Sequence, residues 1–308
     1  MLSEIFYWLF SMSVSASIAG IIVLLSGKIS RLPRRLYCFL WIIPFVRMWI
    51  PVGMNSRYSL MTLLTRLSKK IMVKNVVIYK SENDLSMSMM NHVGAAKTYF
   101  PVTYEIDLLE DIFRMASILW LAVAAVLLLF VIVGYVITIT ELKKARHLRG
   151  NIYISSALTA PAAYGILRGK IVLPEGCPED DLTFILLHEN AHIRRWDNLW
   201  RVVSVVTACV HWFNPLAWVF LEKFFESTEL ACDEAVLTQC GESERKSYAS
   251  ALLSYAESRR KLITAFGGAR LRVRIERILS YKRLSAFSAG CFAALAAAIC
   301  YVLLTNAR

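Results

Sequence analysis

Three uncharged apolar runs, 5–26, 116–140 and 285–304, constrain this chain more than anything else in it. A helix rising 1.5 Å per residue needs roughly 20 residues to cross the ~30 Å hydrocarbon core, and each run is long enough. Composition agrees, with 57% hydrophobic residues, only 19% charged and a mean hydropathy of +0.50. A fourth run, 36–52, is shorter and holds Arg47, which is expected to snorkel to an interface. The expected fold is mainly α: a multi-pass membrane protein with four transmembrane helices and a non-membrane domain between the third and fourth.

The basic residues set the expected topology. Lys28, Arg31, Arg34 and Arg35 lie just after the first run without an acid among them, and the positive-inside rule puts that loop in the cytoplasm. Both termini are then outside, 53–115 is an outer loop, and 141–284 is a cytoplasmic domain whose basic clusters abut the flanking spans. The net charge of +12 is accounted for by this pattern, and no nucleic-acid-binding motif accompanies it. Direct nucleic-acid binding is not expected. The first run has no basic residues ahead of it, so it reads as a retained helix and not a signal peptide. The seven cysteines form no CxxC pair and none falls in the outer loop, so reduced thiols are expected.

Within 141–284, "LLHENAHIRRWD" places His188 and His192 at i and i+4, one above the other on a helix face, where both imidazoles can reach one zinc ion. Glu189 lies about 100° round the helix, where it can act on water without ligating. This is the division of labour peptide hydrolysis requires: zinc polarises the carbonyl and acidifies a water, and the glutamate takes the proton and passes it to the leaving amine. A third ligand is needed. Further on, "FESTELACDEAVL" puts Glu229 and Asp233 at i and i+4; Glu229 can ligate while Asp233 orients a histidine through its free N–H, and Asp233 competes for the ligand role.

The apolar stretch 199–213 between these motifs is too short to cross. A crossing there would also separate Glu229 from His188, so a buried or re-entrant helix ended by Asn214-Pro215 is expected. His211 reads as a cap or interface anchor, and His92 and His147 carry no signal. Upstream, 151–156 and 169–174 read as a β-hairpin, with Ile171, Val172 and Leu173 either a platform for an extended peptide or plain structure.

These residues, with "IIPFVRMWIP", "GKIVLPEG", "HWFNPLAWVF" and "AFGGARLRVRIERIL" in the same order along nearly the whole chain, resemble the BlaR/MecR-type membrane zinc metallopeptidases, the antirepressor sensor-transducers of beta-lactam resistance. The resemblance implies a gluzincin-like cytosolic domain holding one Zn2+, with His188, His192 and Glu229 as ligands and Glu189 as base. It also implies regulatory proteolysis: the protein cuts itself, or its action removes a co-encoded DNA-binding repressor. The resembled sensors carry a penicillin-binding domain after the last helix, where this sequence has only "TNAR", so acylation by a beta-lactam is not expected. A stimulus would then act through loop 53–115, the membrane helices, a separate sensor protein or a homo-oligomer. In that loop the leucines at 60, 63, 64 and 67 suit an amphipathic helix on membrane lipid, or a cap on the bundle. The basic run 258–283 suits either a self-cleavage segment or a tether on anionic lipid. The alternative function is a non-catalytic receptor or scaffold that keeps the zinc fold for structure.

Overall fold

The structure, a computed structural model, describes residues 2–29, 32–50, 55–56, 108–158, 160–166, 168–176, 179–241, 243–258, 265–281, 286–304 and 306–307. The expectations for the amphipathic helix of the outer loop and for His92 fall outside these residues.

The N-terminal third is helical. Helix α1 spans Leu2–Ser26, α2 Arg34–Leu40 and α3 Ile42–Trp49, and the two-residue strand β1 spans Asn55–Ser56. Helix α4, Leu108–Leu142, is 35 residues long. Among the described residues two helices are long and apolar enough to cross a membrane, Ile5–Ser26 and Arg114–Leu142, where four were expected. The second expected span is broken at Trp41 into helices of 7 and 8 residues. Pro44 explains the break: it has no N–H to give the carbonyl of Leu40, and its ring would clash there. Arg47 does not snorkel outward; it is buried at 6% exposure. The last helix, Ala286–Leu304, is 19 residues long and carries no charge.

The chain then forms a four-stranded sheet, β2 Arg146–Arg149, β3 Ile152–Ser155, β4 Ala162–Tyr164 and β5 Lys170–Pro174, in the order β2-β3-β5-β4. The hairpin expectation is corrected here. Strands β3 and β5 run parallel, with Ile152 opposite Ile171 and Ile154 opposite Leu173, and β4 pairs antiparallel along the other side of β5. Ile171, Val172 and Leu173 are therefore buried in an interior strand and have no free edge for an extended peptide. Ile171 and Leu173 pack on Ile185 of the next helix.

That helix, α5, spans Glu179–Arg194; α6 follows at Asp197–Val210, α7 at Pro215–Leu237, α8 at Glu244–Ser258, α9 at Ala265–Leu279 and α10 at Ala286–Leu304, and strand β6, Asn306–Ala307, pairs in parallel with β1. Helix α6 has 14 residues and ends at His211, whose N–H caps it on Thr207 O and whose side chain is fully buried. Asn214 starts α7: its Oδ1 accepts from Leu216 N at 3.0 Å, its Nδ2 donates to Ser13 Oγ at 2.7 Å and Ser17 Oγ at 2.8 Å, and Pro215 takes the position where a missing N–H costs nothing.

The main core joins the two halves of the chain. Ala16, Ala19 and Val23 of α1, Leu40, Trp41 and Phe45 of the broken pair, and Ala217, Phe220 and Phe224 of α7 form one buried cluster. The closest approach is at Gly20, where a Cβ would lie 2.2 Å from the Phe220 ring. Gly20→Ala is expected to destabilise the chain by about 1–3 kcal/mol through overpacking. Thermal unfolding in detergent checks this, and an unchanged midpoint would mean that Phe220 does not rest on Gly20.

Candidate metal centre

Helices α5 and α7 bring three donor atoms together. His188 Nε2 and His192 Nε2 lie 3.3 Å apart; Glu229 Oε2 is 3.5 Å from the first and Oε1 3.6 Å from the second. Two ligands about 2.0–2.1 Å from a tetrahedral zinc are separated by roughly 3.3–3.4 Å, so these spacings fit a single ion. Both histidines are buried, while the Glu229 side chain keeps 32% exposure, which leaves the site open on one side.

The backs of the imidazoles are fixed. His192 Nδ1–H donates to Asp197 Oδ2 at 2.8 Å. Asp197 reaches it because Trp196, in the left-handed region at φ 59° and ψ 32°, turns the chain sharply between α5 and α6. Buried Cys232 lies on the same network, its thiol donating to Asp197 Oδ2 at 3.3 Å. His192, Asp197 and Cys232 are close enough to be a second donor set. Burial, reinforced by the neighbouring Asp197 charge, holds the Cys232 thiol well above its ordinary range.

His188 is held differently. Tyr248 O–H donates to Asp233 Oδ1 at 2.7 Å, and the phenol oxygen lies 3.0 Å from His188 Nδ1. Burial, and next the Asp233 charge, push the phenol well above its usual range; it stays protonated and accepts from His188 Nδ1–H. Asp233 thus acts on His188 through Tyr248, its own oxygen being 3.4 Å from the ring. Both arrangements aim an unprotonated Nε2 at the shared point.

Two arginines grip the Glu229 carboxylate, Arg201 at 2.7 Å and Arg274 at 3.1 Å. Burial alone would raise its pKa; the Arg274 guanidinium leads the contacts that reverse this and hold it well below the carboxylate range, so it is an anion available to a cation. Glu189, by contrast, is 8% exposed and forms no hydrogen bond or ion pair with any described residue.

A family model described as BlaR1 peptidase M56 matches residues 7–278. The chain belongs to the BlaR1 peptidase M56 family. The match takes in all the residues of the site, from His188 to Arg274. Among curated relatives of this M56 chain, the regulatory protein BlaR1 of Bacillus licheniformis is 28% identical over 110 residues, 35% of this chain and 18% of that relative. The methicillin resistance mecR1 protein of Staphylococcus aureus is also 28% identical, over 107 residues, 33% of this chain and 18% of its own length.

The structure thus brings His188, His192, Glu229 and Asp233 together, with Glu189 next to His188 on α5, and leaves Ile171, Val172 and Leu173 in the sheet interior. Sequence reasoning missed Asp197, Tyr248, Arg201 and Arg274. Asp197 had a local signal, an acid five residues after His192; Tyr248 and Arg274 lie 60 and 86 residues from His188 and had none. Asp197→Asn is expected to weaken zinc binding about 10- to 100-fold by releasing His192. Competition with a chromogenic chelator measures it, and wild-type affinity would remove Asp197 from the site.

Proposed function

We propose that this chain is an integral membrane zinc metalloendopeptidase, with His188, His192 and Glu229 holding one Zn2+ and Glu189 as general base. The observation that carries the reading is a three-donor cluster with zinc spacing, His188, His192 and Glu229, with Glu189 next in sequence to the first of them. Zinc, when bound, supplies the Lewis acidity that polarises a peptide carbonyl and makes water a better nucleophile. Glu189 takes the proton from the attacking water and delivers it to the leaving nitrogen. Asp197 and the Tyr248–Asp233 pair keep both imidazoles in the ligating tautomer throughout.

The biological role we propose is regulatory proteolysis in transmembrane signalling, on the chain itself or on a protein such as a co-encoded DNA-binding repressor. The names of the relatives, a regulatory protein and a methicillin resistance protein, support that class. For the membrane arrangement, α1 and α4 cross, the broken pair α2–α3 and the shorter α10 complete the bundle, and the metal domain faces the cytoplasm, with both termini outside. The parallel pairing of β1 with β6 supports this, because it sets the ends of α3 and α10 side by side.

The peptidase and the non-catalytic receptor separate in one experiment. Glu189→Ala is expected to keep zinc and lose at least about 100-fold in cleavage rate, as removal of a general base does. The assay follows zinc content and proteolysis of the chain and of a co-encoded repressor in detergent. Wild type that holds zinc and cuts nothing would contradict the peptidase reading in favour of the receptor.

A further inference from the structure

The sequence leaves Glu229 and Asp233 as rivals for the third ligand position. Both are on α7, one turn apart, and both are anions beside His188. What distinguishes them is a residue from another helix. Arg274 of α9 makes a two-pronged pair with Asp233, Nε to Oδ2 and Nη2 to Oδ1, each at 2.8 Å. Together with the Tyr248 hydroxyl on Oδ1, three donors hold Asp233, two on Oδ1 and one on Oδ2, and Asp233 is 2% exposed. Glu229 receives one arginine contact on each oxygen, Arg274 Nη1 on Oε2 at 3.1 Å and Arg201 Nη2 on Oε1 at 2.7 Å, and its oxygens face the two histidine Nε2 atoms, whereas Asp233 Oδ1 meets His188 at Nδ1, 3.4 Å away.

We propose that Arg274 is the positioning residue that selects Glu229 over Asp233 as metal ligand, and that the site is complete only while α9 is docked. A planar guanidinium suits the task, because its fork holds both oxygens of one carboxylate and leaves another N–H for a second. The position of Arg274 is set one turn further on, where Ile278 is fully buried against Val236, Leu237 and Tyr248. Arg245 Nη1 also holds the end of the segment, donating to Tyr281 O at 2.8 Å. Helix α9 immediately precedes the apolar helix α10, so a movement of α10 that lifts Ile278 from its seat withdraws Arg274 from both carboxylates. Asp233 is then free to turn toward the metal, and Tyr248 and His188 lose their common anchor. The basic segment expected to be a cleavage site or a lipid tether is on this account part of the metal centre.

The geometry also contains the opposite possibility, which the experiment decides. Arg274 Nη2 lies 3.4 Å from His188 Nε2, so a guanidinium there could repel a cation instead of preparing its ligands. The test is zinc affinity of the full chain in detergent, by chelator competition, together with the visible spectrum of the cobalt-substituted protein, which reports the ligand set without requiring turnover. Arg274→Ala is expected to lower zinc affinity about 10- to 100-fold and to change the cobalt spectrum. Arg274→Lys, which keeps the charge but not the fork, is expected to recover only part of the loss. Ile278→Ala, which touches no donor atom, should shift affinity in the same direction by a smaller factor. If Arg274→Ala does not fold, the lysine variant and Ile278→Ala carry the test.

Wild-type affinity and spectrum in these variants would overturn the proposal, and tighter zinc binding would overturn it in favour of repulsion. The inference rests on the ligand assignment above. Failure of wild type to bind zinc would overturn both, whereas zinc-loaded wild type with unaffected variants would overturn this one alone.

Discussion

Two imidazole nitrogens 3.3 Å apart on one helix and a carboxylate from another, meeting them at 3.5 and 3.6 Å, make the arrangement on which the rest of this molecule depends. Successive turns of α5 supply the first pair almost automatically. The carboxylate has to be delivered by α7, which requires the chain to leave α5, travel outward and return on the same side. The sharp turn at Trp196, the 14 residues of α6 and the Asn214-Pro215 start of α7 perform that return. Each of these elements also contributes to the centre or its surroundings: Asp197 holds His192, Arg201 holds Glu229, and Asn214 fastens the start of α7 to α1.

The centre is continuous with the apolar helices. Helix α7 is unbroken from Phe220 and Phe224, packed among α1 to α3, to Glu229 and Asp233. A second connection runs along hydrogen bonds: Arg195 donates to Cys38 Sγ on α2 at 3.0 Å and to Asp197 at 3.3 Å, and Asp197 holds His192. Arg35, also on α2, binds the Glu234 carboxylate through its backbone N–H at 2.9 Å. Both ligand-bearing helices are therefore braced against the N-terminal helices. Contact of this kind is a route for coupling; coupling itself requires two states biased from each end.

Much of this was legible in the sequence where the signal is local. The histidine pair, Glu189, and the Glu229 and Asp233 pair follow from i, i+4 spacing, and the non-crossing of 199–213 follows from its length and from the need to unite the ligands. Legibility ended where partners are distant. Alternation in 151–156 and 169–174 announced strands but not their pairing. The hairpin expectation failed because β4 is three residues long, and β2, Arg146–Arg149, is exposed along its length with no apolar pattern to give it away. Hydropathy over 36–52 concealed the consequence of Pro44, and Arg47 proved to be buried. Arg274 lay unremarked in a basic run, because nothing near it in sequence indicates that its partners are two acids on α7.

The central claim is that α5 and α7 together build one zinc site from two imidazoles and one carboxylate. X-ray absorption spectroscopy of the zinc-loaded chain in detergent tests it most directly, because it counts the ligands without depending on a substrate. The account predicts stoichiometric zinc with a nitrogen and oxygen shell at about 2.0–2.1 Å, imidazole scattering from two histidines and no sulfur. A sulfur shell at about 2.3 Å would bring Cys232 into the coordination sphere and contradict the site as described, and so would a chain that binds no zinc.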